Sequence, residues 1–286
     1  MVNRSSWYLA FEPRPRARAR LYCLPCAGGG ASMFRLWPRH LPPWVEVRAV
    51  TLPGRQARRR QPAFTDCDEA ARWLAESLAE TLAEEAAQTP GGPLPYALFG
   101  HSMGGMLGYR LTRLLLAEGG APPPALLAVA SWPVRGATAA GLPDPDDSDD
   151  GFLAALGALG GLPPEVADDP AMLALTLPVA RADFTLCRSY AYRDEPPLPV
   201  PVAVFGGTED LVAPPVSLEE WRDHTEDFLG TRLYEGGHFF LREHLAPLAA
   251  SLTAALTGVL GRGVRAGSAR WEMPWTASRS QACVAD

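Results

Sequence analysis

The 286-residue chain contains no lysine and no isoleucine, and its one asparagine is Asn3. All 26 basic residues are therefore arginine. The missing lysine excludes a Walker-type phosphate loop, Schiff-base chemistry and every lysine-based hydrolase. A Cys-His-Asn protease would have to recruit Asn3. Together with 27 glycines and 29 prolines, these absences point to a GC-rich coding sequence more than to a function. Cysteine is sparse and odd in number: Cys23, Cys26, Cys67, Cys187 and Cys283 lie far apart, which is no secreted disulfide framework. The N-terminal residues lack the apolar core of a signal peptide. No uninterrupted apolar run approaches the ~20 residues that span a bilayer. A reducing cytoplasm, with no membrane partner, is the expectation. The 26 basic and 32 acidic residues leave a net charge of −6, unsuited to general nucleic-acid binding.

Hydrophobic residues make up 47% of the chain, enough for a sizeable core. Short apolar runs at residues 21–24, 45–50, 96–99, 126–130 and 200–205, with a shorter one at 231–234, read as strands. Several are apolar on both faces, as strands covered by helices should be. Residues 66–87, 103–117 and 239–260 carry helical spacing. This alternation predicts an α/β fold with a mostly parallel sheet. Pro133 to Leu198 is too long for an ordinary connection. It opens on an acidic run, Asp144 to Asp150, and continues with helical segments at 152–159 and 170–190. It reads as a helical lid inserted in a single domain over residues 1–262. The tail after Arg262 is rich in Gly, Ser and Arg, and reads as flexible or loosely docked despite Trp271, Met273 and Trp275.

Gly100-His101-Ser102-Met103-Gly104-Gly105 follows a predicted strand and opens a predicted helix. Gly-x-Ser-x-Gly in that context is a nucleophile elbow, in which a strained turn needs small neighbours at 100 and 104. It presents Ser102 at a helix N-terminus, where the Met103 N–H can face a developing oxyanion. A serine elbow takes its partners in chain order serine, acid, histidine. Gly207-Thr208-Glu209-Asp210 supplies the acid after a strand, with Asp210 preferred and Glu209 its neighbour. Gly236-Gly237-His238 supplies the base after the last strand. His101 is held inside the elbow, and His40, His224 and His244 read as surface residues. The glycine-rich loop Pro25 to Gly30 can bring a second N–H to the oxyanion, with Ala27 preferred over Cys26 and Gly28.

Cys23-Leu24-Pro25-Cys26 has redox spacing, but Cys23 falls inside a predicted strand rather than at a helix N-terminus, so a packing role is expected. No cysteine or histidine cluster has zinc spacing, and no metal or cofactor is expected. Arg55, Arg58, Arg59 and Arg60 gather four positive charges in an acidic chain. They read either as a solvated loop or as a patch that steers an acidic partner. Phe152, Leu153, Leu156 and Leu159 either wall a pocket or pack the lid onto the core.

These motifs resemble the type II thioesterases of polyketide and nonribosomal peptide synthesis, within the α/β-hydrolases. The resemblance runs from about Leu21 to Leu260. It rests on Leu24-Pro25-Cys26-Ala27-Gly28-Gly29, Leu52-Pro53-Gly54-Arg55, the serine elbow and Gly237-His238-Phe239-Phe240. Cys26 departs from the family, which often has an aromatic residue or histidine there, and the tail after Arg262 lies outside the pattern. The resemblance implies an α/β-hydrolase fold and a substrate acyl group held as a thioester on the phosphopantetheine arm of a carrier protein. Removing stalled or wrong acyl groups would free that arm. It implies Ser102 as nucleophile, His238 as base, Asp210 as its orienting acid, and Met103 and Ala27 as oxyanion donors.

Overall fold

The computed structural model describes residues 7–89, 92–137 and 142–265. Seven strands form one sheet: β1 (Tyr8–Leu9), β2 (Ala19–Leu24), β3 (Val45–Val50), β4 (Tyr96–His101), β5 (Leu126–Ala130), β6 (Val202–Gly207) and β7 (Phe228–Tyr234). Their spatial order is β1-β3-β2-β4-β5-β6-β7. All neighbours are parallel except β1, which pairs antiparallel with β3 in the register Tyr8 to Val50. The helices are α1 (Cys67–Gln88), α2 (Met103–Glu118), α3 (Asp149–Ala158), α4 (Pro164–Ala167), α5 (Pro170–Ser189), α6 (Pro215–Leu218) and α7 (Leu245–Arg265).

Alternation along each strand divides the core into two layers. Tyr22, Leu24, Leu98, Leu127, Val129, Val202 and Val204 face α1 and α2, where they meet Leu74, Leu78, Met106 and Leu107. Leu21, Cys23, Ala97, Phe99, Ala128, Ala203 and Phe205 face the other way, onto Phe34, Trp37 and the α7 residues Leu248, Leu252 and Leu256. Both faces are dry, so the central strands read as continuous apolar runs. The Asp66 carboxylate caps α1 by accepting the Glu69 N–H at 2.8 Å. Gly119, at φ 64°, ends α2 in the left-handed conformation.

The first strand and the last helix differ from the sequence reading. The two-residue β1 goes unpredicted, because its pairing depends on Trp7, which stacks on Tyr22 and donates its indole N–H to Thr81 at 2.9 Å. The last helix begins at Leu245 rather than near Phe239. Residues 240–242 form a separate 3-10 turn, and Pro247, which lacks an N–H, is accepted in the first turn of α7 but not in a helix interior. At its other end α7 runs on to Arg265, past the helix end expected at 260 and into the first residues of the expected tail. The reading of the tail as flexible or loosely docked falls, from residue 266 on, outside the described residues. The Leu245–Arg262 stretch of α7 is long and apolar enough by composition to cross a membrane, but its Leu248, Ala249, Leu252 and Leu256 side chains are buried against the sheet.

The insertion between β5 and β6 carries α3, α4 and α5. Phe152 and Leu156 of α3 bury against Ala180 and Phe184 of α5, while Leu153 and Leu159 are half-buried beside them. This cluster also takes in Ala27, so the insertion sits over the glycine-rich loop that follows β2.

Candidate active site

The turn between β4 and α2 has the strain expected of an elbow. Ser102 adopts φ 54° and ψ −118°, a conformation unfavourable for any residue with a Cβ. It is held by its own N–H, which donates to the Ala130 carbonyl at 2.8 Å, and by its carbonyl, which accepts the Gly105 N–H at 2.8 Å. The small neighbours are obligatory. A Cβ on Gly100 would lie 2.1 Å from the Gly104 oxygen, and one on Gly104 would lie 2.1 Å from the Leu24 oxygen. The second approach also brings the start of α2 against the loop that carries Ala27.

The carboxyl ends of β6 and β7 supply the next two residues. Asp210 is buried, and both its oxygens meet His238 Nδ1, at 2.9 and 3.0 Å. The Val212 and Ala213 N–H groups donate to the same carboxylate at 2.9 and 3.0 Å. Glu209 points to solvent. Burial pushes the Asp210 carboxyl up, but the hydrogen bond and charge of His238 and the donors Ala213 and Ser131 outweigh it, and the net direction is down. Asp210 is thus an ionised orienter for the Nδ1–H tautomer of His238.

His101 ties His238 to the elbow. Its Nε2–H donates to the His238 carbonyl at 2.8 Å, and the two rings are 5.2 Å apart. Burial, with the neighbouring His238, lowers the His101 pKa from 6.5 to about 3. Between those values the unfolded chain binds a proton here that the folded chain does not, so stability falls as pH falls through that window. His101→Gln keeps an N–H near the place of Nε2 and does not titrate. It is expected to flatten the acid limb of the melting temperature between pH 6.5 and 4. Parallel wild-type and variant curves would show that His101 does not set that limb.

Of the candidate oxyanion donors, Gly28 is already engaged: its N–H donates to the Asp183 carboxylate at 2.8 Å. Cys26 turns inward, 5% exposed, and burial pushes its thiol up to about 12. Burial likewise raises the Cys23 thiol, so neither cysteine of the Cys-x-x-Cys pair is poised as a thiolate. Among the described residues no group of three or more His, Cys, Asp or Glu is arranged to hold a metal.

Two expectations need correction. The arginines at 55–60 are not one exposed patch. Arg55 is buried in a two-pronged ion pair with Asp183, at 2.7 and 2.6 Å. Arg58 is buried with its guanidinium 4.5 Å from the Trp73 ring centre. Only Arg59 and Arg60 face solvent. His224 is also buried, not a surface residue. Its Nδ1–H donates to the Glu220 carbonyl at 2.8 Å and its Nε2 meets the Tyr192 hydroxyl at 3.0 Å, which satisfies the ring inside the protein. Asp183 escaped the sequence reading altogether, since it sits in α5 with no motif around it and meets Arg55 across 128 residues.

A parallel sheet flanked by helices, a strained serine at the β4–α2 turn and a buried Asp–His pair at the same sheet edge define an α/β-hydrolase. The thioesterase domain model matches residues 19–256, so the chain belongs to the thioesterase family and is a hydrolase acting on thioesters. Gramicidin S biosynthesis protein GrsT of Aneurinibacillus migulanus is 32% identical over 244 residues, covering 84% of this chain and 89% of that protein. Thioesterase PikA5 of Streptomyces venezuelae is 34% identical over 247 residues, covering 85% and 82%. Among solved structures, the type II thioesterase BorB from the borrelidin biosynthetic cluster is 32% identical, covers 87% of this chain and 97% of its own, and superimposes with a TM-score of 0.73.

Proposed function

We propose that this chain is a type II thioesterase that clears acyl groups from the phosphopantetheine arm of carrier proteins in polyketide or nonribosomal peptide synthesis. The observation that carries the reading is the Asp210–His238 pair bound, through His101, to the strained elbow that presents Ser102. Residues 1–262 act as one domain, with 133–198 as a lid over the acyl site. The apolar cluster of Phe152, Leu156, Ala180 and Phe184 above Ala27 supports the lid. A reducing, cytoplasmic setting fits the four free, buried cysteines among the described residues.

Ser102 Oγ attacks the thioester carbonyl while His238 takes its proton, and the Met103 and Ala27 N–H groups bind the resulting oxyanion. The C–S bond breaks, and His238 returns the proton to the departing thiol. Water, activated by the same histidine, then cleaves the Ser102 ester to release the acid and restore the serine. A thiolate leaves readily, so the site needs no strong acid.

Intact-mass analysis of acyl-loaded carrier proteins, with and without the protein, tests the reading. The expected result is loss of the acyl mass and return of the free arm, with matched oxygen esters turned over far more slowly. A clear preference for oxygen esters would overturn it.

Arg59 and Arg60 are the exposed part of the basic loop, and we assign the steering of an acidic carrier protein to them. The double variant Arg59→Ala/Arg60→Ala is expected to lower kcat/KM several-fold on a carrier-bound acyl group. A neutral acyl-N-acetylcysteamine should be turned over as before. The gap should close as salt rises, because exposed charges are screened over ~8–10 Å at physiological ionic strength. Equal kinetics on both substrates would remove the assignment.

A further inference from the structure

The Arg55–Asp183 pair lies outside the serine, histidine and acid, yet its hydrogen bonds converge on the loop that carries Ala27. Asp183 is 1% exposed and Arg55 8%. The Asp183 carboxylate accepts both guanidinium prongs and, as a third bond, the Gly28 N–H at 2.8 Å. Arg55 also donates to the Gly29 carbonyl at 2.7 Å and to the Pro53 carbonyl at 3.3 Å. The pair therefore grips the Gly28 N–H and the Gly29 carbonyl together. Gly28 stands at φ +71°, which a residue with a Cβ resists, and a Cβ there would lie 3.4 Å from that of Ala180. Ala180 and Asp183 are on the same helix of the insertion, α5. The loop is thus clamped between a helix above it and an arginine beside it.

We infer that Arg55 and Asp183 are positioning residues for the oxyanion hole. By holding the peptide after Ala27, they turn the Ala27 N–H toward the reacting carbonyl and keep the Gly28 N–H away from it. The inference rests on the proposed roles of Ser102 and Ala27. A buried ion pair is a weak device for stability alone, because the desolvation of both charges offsets their attraction. Apolar replacement of both partners commonly keeps the fold. The orientation of the glycine loop, by contrast, depends on the acceptor and donors that the pair supplies. A donor turned away by about 1 Å loses much of its effect on the transition state.

The test is the double variant Arg55→Met/Asp183→Leu, with Asp183→Asn as an isosteric companion. Each is measured for thermal unfolding, for kcat and KM on an acyl-N-acetylcysteamine thioester, and for inhibition by an alkyl trifluoromethyl ketone. The ketone adds the serine oxygen to its carbonyl carbon and places a full oxyanion in the hole. The double variant is expected to unfold within a few degrees of wild type. Its kcat should fall about 10- to 100-fold with KM within about twofold. Ketone inhibition should weaken by the same factor as kcat. Asp183→Asn retains an oxygen for the Gly28 N–H and should lose less kcat than the double variant. Wild-type kcat and ketone affinity in a folded double variant would overturn the inference and leave the thioesterase reading intact. If the double variant does not fold, Arg55→Lys takes its place: it keeps the charge but cannot hold both Asp183 oxygens and the Gly29 carbonyl together, and wild-type kcat and ketone affinity in it overturn the inference. Failure of the wild-type protein to hydrolyse the thioester or bind the ketone would instead sink the serine mechanism itself.

Discussion

Replacing Ser102 by alanine is expected to cut thioester hydrolysis by about 10⁴- to 10⁶-fold while the protein stays folded. The rate follows from the loss of the nucleophile: an oxyanion hole and a bound substrate retain only a small residual acceleration without it. The fold survives because the strain at this position belongs to the backbone. The turn is held at φ 54° by the Ala130 carbonyl and the Gly105 N–H, and alanine keeps the same Cβ. Circular dichroism and a melting temperature close to wild type, beside a loss of turnover on an acyl thioester, check both halves. Turnover near the wild-type rate would remove Ser102 from the mechanism.

Asp210→Asn carries the second largest effect, a loss of about 10⁴-fold in kcat. The carboxylate accepts from His238 Nδ1 and so keeps the proton on that nitrogen, leaving Nε2 free to act as base. An asparagine can present its amide N–H to Nδ1 and stabilise the wrong tautomer. Glu209→Gln should change kcat by less than about twofold, since that side chain lies in solvent. A crippled Glu209→Gln beside a mild Asp210→Asn would reverse the assignment of the acid. The downward displacement of the Asp210 carboxyl adds a pH expectation. A carboxylate whose folded pKa lies below its ordinary 3.8 stabilises the native state above that value. This contribution disappears as the pH falls through the lower, folded value. Asp210→Asn should therefore weaken the steepest acid part of the stability curve, below about pH 4, as read by thermal melts at stepped pH.

Much of the site was legible because its signals are local. Gly100 and Gly104 are demanded by contacts within one turn and with the adjoining loop, so their spacing around Ser102 marks the elbow without any tertiary information. Ser102, Asp210 and His238 come in that chain order because they follow β4, β6 and β7 in turn. The choice of Asp210 over Glu209 was already favoured in the sequence, but burial separates them, the one on His238 and the other in water. The central strands β4, β5 and β6 are readable because both faces are covered and nearly every position in them is apolar, whereas β2 and β3 carry Arg20, Glu46 and Arg48, gathered with Glu85 into ion pairs. The two-residue β1 is not readable, because a pairing that short draws its stability from Trp7 and Tyr22, outside its own length.

The chain's own pattern determined the α/β class and the glycine-flanked turn at Ser102, and it marked Asp210 and His238 as that serine's candidate partners, since alternation and glycine placement are short-range consequences of backbone sterics. Only the tertiary structure decided which charges are surface charges. Four arginines in six residues look alike in the sequence, yet Arg55 is drawn inside by Asp183, 128 residues away, and Arg58 by Trp73, while Arg59 and Arg60 remain in water. A guanidinium is buried only where a distant partner meets its hydrogen bonds or its charge. For Arg55 the packing of the insertion across the glycine-rich loop brings that partner, for Arg58 the packing of α1 does, and no local spacing records either.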